Sequence, residues 1–278
     1  MLFFGAKILS PSYPQTYPQN LIILPLRVFC FAHPISPNRN RQTRDFAAFR
    51  LLALLPTARH RRGMQQRGPQ MKVASFNING IKARINALPA WLDEASPDVA
   101  VLQEIKSVDE AFPRELFEDR GYTVETHGQK GFNGVAILSK LPLEDVTRGL
   151  PGDDTDEQAR WIEATVMGDV PVRVCGLYLP NGNPAPGPKY DYKLAWMARL
   201  HARAEALLAL EEPFLMAGDY NIIPQDEDAK RPEVWQEDAL ARPESRAAFR
   251  RLMALGFTEA FRARTQGPGH YTFWDYQA

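Results

Sequence analysis

The chain has 278 residues, 45% of them hydrophobic, with two cysteines and 33 basic against 33 acidic side chains. With no uninterrupted apolar run of 18 residues, this composition excludes a membrane-spanning helix, a disulfide scaffold and a collagen-like or wholly disordered chain, and favours one large or two small soluble domains. The net charge of zero is a cancellation: residues 1–70 carry +9 and residues 71–278 carry −9, which predicts a boundary near Met71.

Residues 1–70 hold eight prolines and no sustained helical or strand spacing, so they are expected to form a basic, mostly disordered leader. Their most apolar stretch, residues 21–32, is interrupted by Pro25 and Arg27 and is too short to cross a bilayer. Three readings stand: a mitochondrial transit peptide, a basic arm for nucleic acid, and an over-extended start ahead of a true first residue at Met71. The third is adopted, because Met71 opens directly onto a strand-like Lys-Val-Ala-Ser-Phe, and a cytoplasmic location goes with it.

From Met71 onward, strand spacing falls on residues 72–76, 99–102, 135–138, 161–166, 172–177, 214–216 and 271–274. Helical spacing falls on Ile85, Leu88, Trp91, Leu92 and Ala95, then on Leu194, Met197, His201, Ala204 and Leu208, and last on Phe249, Leu252 and Met253 ahead of a C-capping Gly256. Short apolar runs alternating with helices predict an α/β or layered α+β domain. Cys30 and Cys175 suit a reduced compartment and form no metal motif.

The residues that close the strands are more informative than the strands themselves. Residues 73–76 run into Asn77, 99–102 into Gln103-Glu104, 172–177 into Tyr178, and 214–217 into Gly218-Asp219-Tyr220-Asn221. Strands of one sheet would carry these carboxylates, amides and phenol to a single rim, where ligands gather. Each alone is ordinary turn chemistry; the set is not. An oxygen-rich rim without cysteine suits a hard cation such as Mg²⁺ and not a closed zinc site. No phosphate-binding Gly-x-x-x-x-Gly-Lys-Ser/Thr loop and no Gly-x-Ser-x-Gly elbow occurs, which leaves metal-assisted phosphoester hydrolysis as the chemistry best supported.

The motifs read Ser75-Phe-Asn-Ile-Asn-Gly-Ile-Lys-Ala-Arg84, Leu102-Gln-Glu-Ile-Lys106, Gly128-Gln-Lys-Gly-Phe-Asn-Gly-Val-Ala-Ile-Leu138, Tyr178-Leu-Pro-Asn-Gly182, Gly218-Asp-Tyr-Asn221 and Tyr271-Thr-Phe-Trp-Asp-Tyr276. Over residues 71–278 the chain resembles the exonuclease III family of abasic-site endonucleases, within the DNase I-like phosphoesterase superfamily. The Tyr178 and Tyr271 segments are the narrowest of these motifs and weigh against the lipid and inositol phosphatases of the same fold.

The resemblance implies a DNase I-like α/β sandwich of two packed mixed sheets flanked by helices. It also implies Mg²⁺-dependent hydrolysis (Mn²⁺ being the alternative ion) of the DNA backbone 5′ to abasic sites, with 3′→5′ exonuclease and 3′-phosphatase activity. The implied partner is double-stranded DNA with abasic sites or 3′ ends, bound by a monomer away from membranes. Glu104 matches the metal carboxylate, with Asn77, Asp219 and Asn221 completing the metal set. Tyr178, Asp219 and Asn221 match the catalytic groups. Asn181 and Trp274 match substrate contacts, and Arg84 and Lys130 join them from the motif loops, as do Lys82, Lys189 and Lys193 as basic candidates.

One family feature is missing. The family's general base is the histidine of an Asp-His pair near the C-terminus; the histidines here are His33, His60, His127, His201 and His270, and none follows an aspartate. The expectation is therefore a domain over residues 71–278 that lacks its C-terminal end, a fragment with little activity of its own. The alternatives are a catalytically inactive DNA-binding module and another phosphoesterase of the superfamily.

Overall fold

The structure, a computed structural model, describes residues 2–5, 27–30, 71–265, 267 and 269–271. In chain order its elements are β1 (Leu2–Gly5), β2 (Arg27–Cys30), β3 (Lys72–Asn77), α1 (Ala87–Ala95), β4 (Val99–Gln103), α2 (Glu115–Glu118), β5 (Thr123–His127), β6 (Val135–Ser139), β7 (Leu143–Arg148), β8 (Trp161–Val166), β9 (Val172–Tyr178), α3 (Pro188–Ala209), β10 (Phe214–Asp219), α4 (Pro243–Met253) and β11 (Phe257–Glu259), joined by short 3₁₀ turns.

Among the described residues the strands form two mixed sheets, ordered β11-β1-β10-β9-β8-β7 and β2-β3-β4-β6-β5. Val73, Val101 and Ile137 of the second sheet pack against Ile162, Val174 and Leu215 of the first. On its other face the first sheet buries Trp161 and Leu177 against Trp196 and Leu200 of α3 and Phe249 and Leu252 of α4. The second buries Ala74, Leu102 and Leu138 against Trp91 and Leu92 of α1 and Phe117 of α2. The result is the expected sandwich of two packed sheets between helices. Burial on both faces explains why β4 and β6 are buried at every position and read as continuous apolar runs.

The six strand ranges expected between residues 72 and 216 are present, each matched or extended by one to three residues. Three strands after Met71 were not expected. In β5 only Val124 and Thr126 are buried, and β7 is an edge strand with no buried residue, so neither carries an apolar run. The third, β11, is three residues long. The strand expected at residues 271–274 lies outside the described residues beyond Tyr271, and Tyr271 itself is not in a strand.

Two leader segments also enter the sheets: β1 pairs antiparallel with both β10 and β11, and β2 pairs parallel with β3. Each is four residues long, too short for periodicity to register.

The helices carry two corrections. Along α3 the buried face is Tyr190, Lys193, Trp196, Met197, Leu200, Ala204 and Leu207, not the stripe through Leu194, His201 and Leu208. His201 is half-exposed, 3.3 Å from Glu205 one turn on. Ile85 precedes α1 and is exposed, while Leu88, Trp91 and Leu92 are buried as expected.

The strand ends set the site. β3 runs parallel to β4, with Asn77 opposite Gln103, and β9 runs parallel to β10, with Tyr178 opposite Asp219. The rim expected from one sheet is therefore shared between two, with Asn77 and Glu104 on one wall and Tyr178 and Asp219 on the other.

Candidate active site

Each wall depends on a close backbone approach. A Cβ on Gly218 would stand 2.0 Å from the Leu177 carbonyl oxygen, and one on Gly134 would stand 2.5 Å from Ile105 Cγ1. Glycine at 218 lets β10 lie against the end of β9, and glycine at 134 lets the segment after Glu104 settle on the following loop. There Ile105 N–H donates to the Gly134 carbonyl and Lys106 N–H to the Asn133 carbonyl. Glu104 itself turns out of β4 with φ of 52°, a left-handed conformation that ends the strand.

At the rim the Asn77 amide donates to Glu104 Oε1 at 2.9 Å and to Asp219 Oδ2 at 2.8 Å. One NH₂ group thus joins a carboxylate from each sheet. The Tyr178 hydroxyl donates to Glu104 Oε1 at 2.8 Å, and Lys106 Nζ stands 2.9 Å from Glu104 Oε2. Asp219 Oδ1 accepts from the Asn221 backbone N–H at 2.9 Å, an Asx turn that fixes the carboxylate. Asn221, only 9% exposed, donates through Nδ2 to the Leu179 carbonyl at 2.8 Å and accepts at Oδ1 from Asn181 Nδ2 at 3.3 Å.

The electrostatics follow from these contacts. Burial pushes the Glu104 carboxyl up, but hydrogen bonds from Asn77, Lys106 and Tyr178 and the Lys106 charge outweigh it, and the group is held below the ordinary glutamate value. Glu104 is therefore ionised at neutral pH. Burial first, then the Glu104 and Asp219 charges, pushes the Tyr178 phenol far above its usual range. It stays protonated and acts as a donor. The Arg160 guanidinium lies 4.9 Å from the centre of the Tyr178 ring and donates to the Tyr178 carbonyl at 3.1 Å, which fixes the phenol's direction.

The donor set answers whether a metal suits this rim. Among the described residues no group of three or more histidine, cysteine, aspartate or glutamate side chains converges, so a caged transition-metal site is absent from them. The rim instead offers two carboxylates, Glu104 and Asp219, beside amide oxygens. That fits Mg²⁺, which binds through one or two carboxylates and keeps its remaining positions for water and phosphate oxygens.

Asn77, Glu104, Tyr178, Asn181, Asp219 and Asn221 are thus brought together. Lys130 is exposed on the loop that packs against Lys106, and Arg84 is half-buried as the last residue of the 3₁₀ turn that follows β3. Trp274 lies outside the described residues. Lys193, expected as a surface phosphate contact, is fully buried beneath the rim. Lys106, Asn79 and Arg160 were missed. Lys106 Nζ donates to Asn79 Oδ1 as well as pairing with Glu104, and its position two residues after Glu104 was the available signal.

Residues 74–274 match the Endonuclease/Exonuclease/phosphatase family. The chain is 37% identical over 217 residues to exodeoxyribonuclease III of Haemophilus influenzae, covering 75% of this chain and 81% of the relative. Among solved structures it is similar to an AP endonuclease from Archaeoglobus fulgidus, with a TM-score of 0.68 and 33% identity over 75% of this chain and 79% of that one. It is also similar to the 3′ phosphatase NExo from Neisseria bound to product DNA hairpin, with a TM-score of 0.71 and 35% identity over 74% of this chain and 79% of that one.

Proposed function

This chain belongs to the endonuclease/exonuclease/phosphatase family, in its exonuclease III branch, and from that premise we propose a DNA repair hydrolase that cuts the backbone 5′ to abasic sites and trims 3′ ends. The observation that carries the reading is the Asn77 amide joining Glu104 and Asp219 across the sandwich, with the Tyr178 hydroxyl on the same Glu104 oxygen. The catalytic domain is residues 71–278, with β1 and β2 each adding a strand to its sheets, and it acts as a monomer on double-stranded DNA. Among the described residues no helix is long and apolar enough to cross a membrane, and a cytoplasmic site of action is part of the proposal.

The side chains divide the work. Tyr178, kept protonated, turns its one O–H from Glu104 Oε1 to a non-bridging oxygen of the scissile phosphate when substrate is bound, and the Asn181 and Asn221 amides hold that phosphate from the side of β9 and β10. Asp219, fixed by Asn77 and the Asn221 N–H, orients the attacking water. Arg84 and Lys130 contact flanking phosphates, and Trp274 lines the pocket for the base-less sugar. Glu104, with the amide oxygen of Asn77, would hold Mg²⁺, which when bound supplies charge neutralisation at the phosphate. Without an Asp-His pair the chain lacks the family's general base, so its rate is expected about 10²–10⁴-fold below that of a relative that carries one.

The test is the position of the cut. A labelled duplex with one abasic analogue should give a single product ending in a 3′-hydroxyl on the 5′ side of the lesion, and the unmodified duplex only slow shortening from its 3′ ends. Binding of the lesion duplex without any incision, in long single-turnover incubations, would favour the inactive DNA-binding reading.

A further inference from the structure

Beneath the rim, Lys193 of α3 has 0% of its surface exposed. Its amino group donates to the Asn181 carbonyl at 3.0 Å and to the Asn221 carbonyl at 2.6 Å. Those carbonyls lie three residues after Tyr178 and two after Asp219, in the loops that leave β9 and β10. The stem reaches them past Gly182, which has φ of 92° and where a Cβ would stand 2.7 Å from Lys193 Cδ. One buried group thus ties both loops from below, through backbone that a larger residue at 182 would obstruct.

Packing does not require an amine there. Burying an amine costs free energy, and an apolar side chain of similar volume fills such a space without that cost. It would leave the two carbonyls without this donor. Either protonation state of the amine retains at least the two N–H groups that they need.

We propose that Lys193 is a positioning residue for the hydrolytic step, clamping the Asn181 and Asn221 carbonyls so that Tyr178 and Asp219 face a phosphate at a fixed separation. This rests on the nuclease reading of the same rim. It moves Lys193 from substrate contact to the machinery that sets the reacting geometry, and it gives Gly182 a role as the passage for the lysine stem.

The experiment uses the full chain with Lys193→Met. Hydrogen exchange should quicken about tenfold or more in peptides covering residues 178–183 and 218–222 together, with β4 and β6 unchanged. Single-turnover incision of the abasic-analogue duplex should slow about 10- to 100-fold, with duplex affinity within about threefold of the parent, because groups misplaced by an ångström lose rate more than binding. A Lys193→Ala chain should regain rate with ethylamine and not with tetramethylammonium at equal ionic strength, a recovery that lost packing alone would not show. This pair also carries the test if the methionine variant does not fold. Parent-like exchange in both loops, or incision within about twofold of the parent by folded variant, would overturn the proposal. If the parent itself cuts nothing, the nuclease reading fails, while the exchange experiment still decides the clamp.

Discussion

Asn77 Nδ2 and Asp219 Oδ2 meet at 2.8 Å across the sandwich, tying the last residue of β3 to the last residue of β10, 142 positions later. The contact fixes how the two sheets present their carboxylates to each other. Asn77→Ala removes this bond and its partner to Glu104, and should slow incision about 10²-fold, the scale of losing an aligned polar group at a reacting centre. Asn77→Asp should be worse, since it sets a third carboxylate between two. Single-turnover rates with thermal melts separate the effect from unfolding; an Asn77→Ala protein cutting at the parent rate would remove the bridge from the mechanism.

Gly218 should tolerate no side chain. A methyl group would lie 2.0 Å from the Leu177 carbonyl oxygen at a φ of 159°, so β9 and β10 would have to part where Tyr178 and Asp219 are in register. Gly218→Ala is expected to destabilise the domain by about 3 kcal/mol or more and to lower incision by the folded fraction. Denaturant midpoints read the first effect and active-fraction titration the second.

The pH dependence of the rim runs through Glu104. Its folded pKa lies below the ordinary value of 4.5, so it contributes stability above that value, lost as pH falls through the folded pKa. Lys106 holds the pKa down by a hydrogen bond and by charge. Lys106→Met should therefore move the acid limb of the pH–rate profile to higher pH, read on one duplex across pH 4 to 8. An unmoved limb would mean that the limb does not report Glu104.

Lys193 sets a second window, of opposite origin. Burial depresses its pKa from 10.5 to about 7, although the Asp238 and Asp219 charges pull it back up. Between those values the unfolded chain binds the extra proton and the folded chain does not. Stability relative to Lys193→Met should therefore rise with pH from about 7 towards 10.5, by at most about 1.4 kcal/mol per unit. Urea titrations at pH 7, 8 and 9 measure it, and a flat difference would contradict the depressed pKa.

Much of this architecture was legible because it rests on local signals. Strands buried on both faces, such as β4 and β6, read as apolar runs, and the polar residue closing each strand marks the rim. The division of the rim between two sheets was not legible. Strand ends show which groups reach an edge, but the pairing of β3 with β4 and of β9 with β10 is a long-range fact. The depth of Lys193 was hidden for a related reason. A lysine beside a motif loop looks like a solvated charge, and only the rotation of α3 by about one residue from the apparent stripe turns it inward. The edge strand β7 escaped because exposure leaves no apolar pattern to read.

If Glu104, Asn77, Asp219 and Tyr178 form one hydrolytic centre served by a hard cation, that centre should respond as a unit to the ion and to the loss of one carboxylate. Single-turnover incision of the abasic-analogue duplex, titrated with Mg²⁺ for the parent and for Glu104→Gln and ended by EDTA, tests this most directly. The parent should show saturable Mg²⁺ dependence and no cutting in EDTA, and the Glu104→Gln protein should bind the duplex but need far more Mg²⁺ for a much lower rate. Equal cutting in EDTA, or a Glu104→Gln protein with the parent's rate and Mg²⁺ requirement, would contradict a shared metal-served centre.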